Sequence, residues 1–294
     1  MTPPLLSVVI PNWNRAHLIC EAIDSALTQK LGRVEVIVVD DGSTDDSVER
    51  VTRNFGSRVR LLSTGCRAGP GPARNVGIGM ASGQLLAFLD TDDVWLPGKL
   101  DAELCALERF PDAEAVVSDN MSFLEGQVVD HSRFALNGLL AAAQGQTRPL
   151  RDCPWLWTNF LNSVAMCTMT IRRSALARFA GNYFAEDLVY CEDWEFELRV
   201  FHSCCVVVLP EIWSWVRRFE DGTRVGRAIP GNPRTREQDI RLQRDRLTVM
   251  ERARWISSVN PVLATELERC RVGTARQLAQ LERAEPITQP SDIS

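Results

Sequence analysis

Short β-branched runs alternate with amphipathic stretches over the first ninety or so residues, and this alternation restricts the fold more than any other feature of the chain. Leu5 to Ile10, Val34 to Val39, Arg58 to Leu62 and Leu85 to Leu89 read as strands. Between them Ala16 to Gln29, Asp45 to Phe55 and Ala73 to Ala81 read as helices, the first through Leu18, Ala22 and Ala26 beside Ile19, Ile23 and Leu27. Such alternation predicts an α/β fold, a mostly parallel sheet flanked by helices. Ligands of these sheets bind beyond the carboxyl ends of the strands, so the residues that follow each strand belong together.

After the first strand comes Pro11-Asn12-Trp13-Asn14-Arg15, and after the second Asp40-Asp41-Gly42-Ser43-Thr44-Asp45. The third leads into a glycine- and proline-rich loop from Gly65 to Asn75, with Gly69 and Arg74, and the fourth ends in Asp90-Thr91-Asp92-Asp93. Carboxylates gathered at a strand end suit Mg²⁺ or Mn²⁺, which prefer oxygen ligands and keep places open for phosphate. They equally suit a helix start, with Pro97 as an early helical residue. Trp13 offers a face to a planar base or to ordinary packing, and Asp41 an acceptor for a base N–H or a turn whose Ser43 or Thr44 caps a helix. The loop's backbone N–H groups and Arg74 suit phosphates. Four strand ends carrying nucleotide-compatible chemistry on one rim favour a nucleotide site over four unrelated turns.

Further on, Tyr190 to Arg199 opens a helix in which Trp194, Leu198 and Phe201 form an apolar stripe expected to anchor it on the sheet. Glu192 and Asp193 then fall in its first turn. A carboxylate held there by packing is placed to act as a general base, or it simply complements the helix dipole.

At 294 residues the chain predicts a large core domain with an appended segment. A formal net charge of -5 argues against nucleic acid as a partner. Met1-Thr2-Pro3-Pro4 runs straight into a strand without a secretory signal, no apolar run reaches membrane-spanning length, and nine scattered cysteines form no C-x-x-C pair. These features predict a cytoplasmic protein with reduced core thiols.

The strings Ser7 to Arg15, Val39 to Asp45, Ala73 to Ile78, Phe88 to Pro97 and Glu192-Asp193-Trp194 resemble, in order, the motif set of family 2 glycosyltransferases with the GT-A fold. The resemblance covers roughly the first two thirds of the chain. It implies transfer of a sugar from a nucleotide-diphosphate donor, UDP-linked above all, to an acceptor hydroxyl, with inversion and with Mg²⁺ or Mn²⁺. It places Pro11, Trp13, Arg15, Asp40, Asp41, Gly69, Arg74, Asn75, Asp90 and Thr91 at the donor. Trp13 stands where the family commonly has tyrosine packed on the base, and Asp41 matches the base-binding acid. Asp90 and Asp92 match the metal-binding DxD pair, Asp92 being the direct ligand, and Asp93 carries no assigned role. Asp193 matches the catalytic base, with Glu192 beside it. The setting implied is surface polysaccharide or glycolipid assembly with a glycan or lipid-linked acceptor, in the cytoplasm or at the inner face of a membrane.

Besides Trp13, the chain departs from the family pattern late in the catalytic domain. Members often carry a late histidine in an Arg-x-His-like stretch; here the region is Trp213 to Gly222, and His17, His131 and His202 all lie elsewhere. Arg217 and Arg218 either neutralise the diphosphate in its place or are surface charges. The middle of the chain combines strand-like Ala115-Val116-Val117 and Ala165 to Ile171 with Trp155 and Trp157, read as an acceptor platform or as hydrophobic anchors. The expected organisation is a catalytic domain over 1–230, a helical appendage over 231–284 and a disordered tail over 285–294. In the appendage Leu242, Val249 and Ile256 recur every seven residues, and Leu263, Leu267 and Cys270 continue an apolar face after a cap at Asn260-Pro261. That face packs on the core, forms a homodimer contact, or accompanies a basic face on anionic lipid as a peripheral membrane contact. The alternatives to glycosyl transfer are a nucleotidyltransferase and a catalytically inactive nucleotide-sugar-binding relative.

Overall fold

The computed structural model describes residues 5–30, 34–124, 126–150, 164–218, 235–254 and 261–283. Trp155, Trp157, Ile256, the 219–234 segment at the expected domain boundary and the tail lie outside them.

The expected strands form β1 (Leu6–Asn12), β2 (Val34–Asp40), β3 (Val59–Ser63) and β4 (Leu85–Phe88). The chain adds β5 (Val94–Trp95), β6 (Ala115–Leu124), β7 (Gln127–Asp130), β8 (Arg148–Leu150), β9 (Met169–Arg172) and β10 (Val206–Arg218). Among the described residues all ten belong to one sheet in the order β3-β2-β1-β4-β9-β6-β10-β5, with β7 beside β6 and β8 beside β10. The first four strands pair in parallel, as the alternating pattern predicts. Beyond them β9 runs antiparallel to both β4 and β6, while β10 is parallel to β6 and antiparallel to β5, so the far half of the sheet is mixed. Ala165 to Ile171 is strand only from Met169; a 3₁₀ turn occupies Met166–Thr168.

Helices α1 (Ile19–Leu27), α2 (Ser47–Phe55) and α3 (Pro70–Met80) connect the parallel strands, followed by α4 (Lys99–Arg109), α5 (Arg133–Asn137) and α6 (Leu139–Ala142). α3 begins three residues before the sequence expectation, inside the proline-rich loop. Proline is tolerated in the first turn, where its missing N–H would have had no partner in the helix.

Side chains alternate across the sheet. From β1, Val9 joins a core with Phe88, Phe184 and Phe196 on one face, while Leu6, Val8 and Ile10 join Ile19, Ile23 and Val38 on the other. α3 lies close on β1 because Gly77 has no side chain: a Cβ there would stand 2.4 Å from Val9 Cγ1.

Helix α7 (Glu192–Ser203) departs from its expected packing. Phe201, with Phe196 and Val200, faces the sheet core, but Trp194 and Leu198 face a third cluster built with the C-terminal helices α8 (Arg236–Arg252) and α9 (Pro261–Arg283). The stripe Trp194, Leu198 and Phe201 therefore splits between two contacts, and α7 is covered on both sides. A capping box opens α8, with the Gln238 N–H donating to Thr235 Oγ1 and the Thr235 N–H to Gln238 Oε1 at 2.8 Å. Leu242, Val249 and Leu267 are buried in one cluster with Trp194 and Leu198, so at these three positions the helices pack on the core, one of the three readings open from sequence.

Among the eight described cysteines, Cys167, Cys191, Cys204 and Cys205 are buried while Cys66 and Cys105 are exposed, so the core-thiol reading fits only part of the set. No helix among the described residues is long and apolar enough to cross a membrane.

Candidate active site

The carboxyl ends of β1, β2 and β4 and the starts of α3 and α7 enclose a cleft of about 330 Å³. The chain after β1 is stitched to the chain after β2. Asn14, at φ +50°, receives the Thr44 N–H on its side-chain oxygen at 2.7 Å and donates its own N–H to Ser43 Oγ at 3.0 Å. Asp40 does not line the cleft; its carboxylate accepts from Asn12 Nδ2 and from the Ser43 N–H, both at 3.0 Å, and so shapes both turns. Gly42, at φ +74°, lets the third loop approach, since a Cβ there would meet the Arg67 backbone nitrogen at 3.0 Å.

Asp41 lines the cleft with its oxygens turned to that loop. Oδ1 accepts from the Ala68 N–H at 2.8 Å and Thr64 Oγ1 at 2.9 Å, and Oδ2 from the Gly69 N–H at 2.7 Å. Trp13 lines the same end, with the Arg67 guanidinium 3.5 Å over its ring, a cation–π contact.

Arg74 crosses the middle of the site. It is buried, and its Nη2 donates to Asp90 Oδ1 at 2.6 Å and its Nη1 to Glu192 Oε1 at 2.9 Å. Burial disfavours its charge, but Asp90 and Glu192 outweigh that and hold it more firmly protonated than an ordinary arginine. Asn75 does not line the cleft: its amide clamps the next layer, donating to Phe184 O at 2.9 Å and Glu186 Oε1 at 3.0 Å and accepting the Phe184 N–H at 2.9 Å.

Asp90, Thr91 and Asp92 line the floor. Burial pushes the Asp92 carboxyl well above the ordinary range, and the charges of Asp93 and Asp90 add to this, with Arg15 opposing. Arg15 is buried and lines the cleft as well; burial lowers its pKa, with Asp92 and Asp45 acting the other way. Arg217 approaches the acidic segment from β10, its N–H donating to Asp93 Oδ1 at 3.2 Å, its Nε to Asp92 O at 3.3 Å and its Nη2 to Glu21 at 2.7 Å. Arg218 instead donates to Ser122 Oγ at 3.2 Å. Neither of these two arginines lines the cleft.

The opposite wall carries Glu192 and Asp193, both buried, at the start of α7. Asp193 Oδ1 accepts the Trp194 N–H at 2.7 Å. Of the residues assigned to the site from sequence, Pro11, Trp13, Arg15, Asp41, Gly69, Arg74, Asp90, Thr91, Asp92, Glu192 and Asp193 meet in this cleft, whereas Asp40, Asn75, Arg217 and Arg218 do not line it. Asn12, Arg67, Ala68, Pro70, Val189 and Tyr190 line it without having been singled out. The first four lie within the strand-end loops, so reading whole loops would have included them. Val189 gives no such signal, because it is brought in by contacts from the distant C-terminal helices.

The sequence model of glycosyl transferase family 2 matches residues 7–177. The chain is 28% identical over 198 residues to the Escherichia coli UDP-Glc:alpha-D-GlcNAc-diphosphoundecaprenol beta-1,3-glucosyltransferase WfgD, a match covering 67% of this chain and 69% of that protein. An uncharacterized glycosyltransferase of Haemophilus influenzae, 38% identical over 106 residues, and the succinoglycan biosynthesis protein ExoO of Rhizobium meliloti, 44% identical over 97 residues, are matched over 42% and 28% of their own length. Among solved structures, it resembles S. aureus TarS 1-349 in complex with UDP-GlcNAc, with a TM-score of 0.62 at 21% identity over 83% of this chain and 66% of that one. It also resembles the mannosyltransferase PcManGT from Pyrobaculum calidifontis in complex with GDP-Man and Mn²⁺, with a TM-score of 0.64 at 18% identity over 96% and 74%. At these identities the structural likeness establishes the fold, which is the GT-A fold expected from the motifs. With the family model matching more than half of its residues, the chain belongs to glycosyl transferase family 2.

Proposed function

We propose that this protein transfers a sugar from a nucleotide-diphosphate sugar, a UDP-sugar first among them, to an acceptor hydroxyl with inversion at the anomeric carbon. The observation that carries the reading is the meeting, in one cleft, of Trp13, the acidic pair Asp90 and Asp92, and Asp193. Trp13 supplies a ring face for the base, and the loop that Asp41 holds through the Ala68 and Gly69 N–H groups fixes the depth of that end.

A divalent cation fits the acidic floor. Its ligands would be Asp92 and Asp90, hard oxygen donors that both line the cleft floor. Two protein carboxylates leave the other coordination places to oxygens of a phosphorylated donor, as Mg²⁺ and Mn²⁺ accept. When bound, such an ion neutralises charge developing on the departing diphosphate.

Glu192 and Asp193 both line the cleft, and the motif position assigns the base to Asp193. Glu192 is tied up in its ion pair with the buried Arg74. Asp193, oriented by the Trp194 N–H and lining the cleft, takes the proton from the acceptor hydroxyl as that oxygen bonds to the anomeric carbon and the sugar's bond to the diphosphate breaks. Glu192 then acts by holding Arg74 in place. The named substrates of WfgD, together with the UDP-GlcNAc complex of TarS, support a UDP-sugar donor and a lipid-linked acceptor in polysaccharide or glycolipid assembly, which would place the enzyme at the cytoplasmic face of a membrane.

Incubating the protein with a panel of sugar nucleotides and Mn²⁺ or Mg²⁺ tests this directly. Release of nucleoside diphosphate supports it. Pyrophosphate release would mean nucleotidyl transfer, and nucleotide binding with no turnover of any donor would mean an inactive relative.

A further inference from the structure

The C-terminal helix α8 reaches the short segment that delivers the acids to the cleft. Asp245 on α8 is 3% exposed, and aspartate is seldom buried so deeply unless its oxygens are engaged. Oδ2 accepts the N–H of Val189 at 3.0 Å and of Tyr190 at 2.8 Å, and Oδ1 accepts Arg241 Nε at 2.8 Å. Arg241 Nη2 donates to Asp187 O at 2.7 Å, and Arg252 Nη2 to Asp187 Oδ2 at 2.6 Å. Helix α8 thus grips residues 187–190 by their polar groups. Val189 and Tyr190 line the cleft, and two residues further on the chain places Glu192 and Asp193 there as well.

Between the grip and the acids stands Cys191 at φ +64°. A non-glycine residue in the left-handed region is strained and persists only where its surroundings hold it. Asp245 fixes the backbone immediately before it, and Trp194 and Leu198 pack against Leu242 and Val249 just after it. The turn that aims Asp193 is therefore held from α8 on both sides.

We propose that Asp245 is a positioning residue for the reaction: by fixing the Val189 and Tyr190 amides it sets the left-handed turn at Cys191 and hence the direction of Asp193. The inference rests on the glycosyl-transfer reading. It makes the C-terminal helices part of the working site, with donor binding and acid placement controlled from opposite walls of the cleft. Loss of Asp245 should then lower kcat with little change in donor affinity, because the base-binding and diphosphate-binding loops come from β1, β2, β4 and α3.

Hydrogen exchange at the Val189 and Tyr190 amides, measured beside kcat and donor KM in Asp245→Ala, Asp245→Asn and Arg241→Gln, tests the link. Asp245→Ala is expected to speed exchange at these two amides and to reduce kcat by about 10- to 100-fold, with donor KM changed by no more than about threefold. Asp245→Asn keeps an oxygen for both amides, and Arg241→Gln alters a partly exposed partner, so both are expected to keep the protection and most of kcat. Asp245→Ser leaves a smaller cavity and takes the place of Asp245→Ala if that variant does not fold. Loss of protection with kcat intact, or loss of kcat with protection intact, in any folded variant overturns the proposal. Turnover by Asp193→Asn at the parental rate would instead remove the base assignment and leave the correlation between protection and kcat to be judged separately.

Discussion

Arg74 Nη1 lies 2.9 Å from Glu192 Oε1 in a buried ion pair that joins residues 118 apart in sequence. With its second bond to Asp90, the same guanidinium ties the acidic floor to the helix bearing the proposed base. Arg74 is therefore occupied by protein carboxylates, and its first task is to hold two walls of the cleft in register.

Replacing Arg74 by Met leaves two carboxylates without their cation. The expected loss is about 3 to 5 kcal/mol in unfolding free energy, read by urea denaturation, and adding Glu192→Gln should recover part of it. Arg74→Lys should not substitute, since a single ammonium does not reproduce a fork bonded to two partners.

Asp92→Asn removes the charged oxygen donor on the floor. Mn²⁺ affinity in the presence of a UDP-sugar is expected to fall by at least about 10- to 100-fold, measured by calorimetric titration, while the nucleotide alone continues to bind at the Trp13 end. Equal Mn²⁺ affinity in the two proteins would remove Asp92 from the ion's coordination.

At the start of α4, Lys99 is fully buried with its Nζ 2.5 Å from Glu103 Oε1 and 4.5 Å from the centre of the Trp95 ring. Glu103 also accepts from Thr170 Oγ1 at 2.7 Å and Ser118 Oγ at 3.2 Å, so the pair locks the chain just after the acidic segment onto the sheet. Lys99→Met is expected to cost about 3 to 5 kcal/mol by stranding the Glu103 charge, and the double change with Glu103→Gln to cost less, as a thermal or urea melt would show.

Glu35 gives a pH signature. Burial pushes its carboxyl up, but hydrogen bonds from Ser7 Oγ at 2.6 Å, the Ser82 N–H at 3.0 Å and Ser82 Oγ at 2.9 Å, with the Arg60 charge, bring it below its ordinary 4.5. A carboxylate whose folded pKa is depressed stabilises the protein above its unfolded pKa, and this is lost as pH falls through the folded value. Glu35→Gln should therefore be less stable than the parent by about 1 to 2 kcal/mol near neutral pH, with the two denaturation curves converging in acid below 4.5.

The parallel half of the sheet was legible because each of its strands is a continuous apolar run ending in a distinctive loop. Most of the site was legible for the same reason, since in parallel strands the loops after β1, β2 and β4 must share one rim. In the mixed half Ala115 to Val117 and Ala165 to Ile171 were legible as strand-like, but their directions were not, because apolar residues such as Met169 and Ile171 carry no directional information. Trp194 and Leu198 looked like a sheet anchor because helical spacing reports that a face is buried and not what buries it. The grip of Asp245 on Val189 and Tyr190 was invisible, because an aspartate in an arginine-rich helix looks like solvated charge until the fold brings backbone N–H groups to it.

Single-turnover transfer by Asp193→Asn beside the parent, with donor affinity measured on both, decides whether Asp193 takes the acceptor's proton in sugar transfer. Donor affinity within about threefold of the parent and a transfer rate about 10²- to 10⁴-fold lower are expected. Transfer by Asp193→Asn at the parental rate would contradict that role.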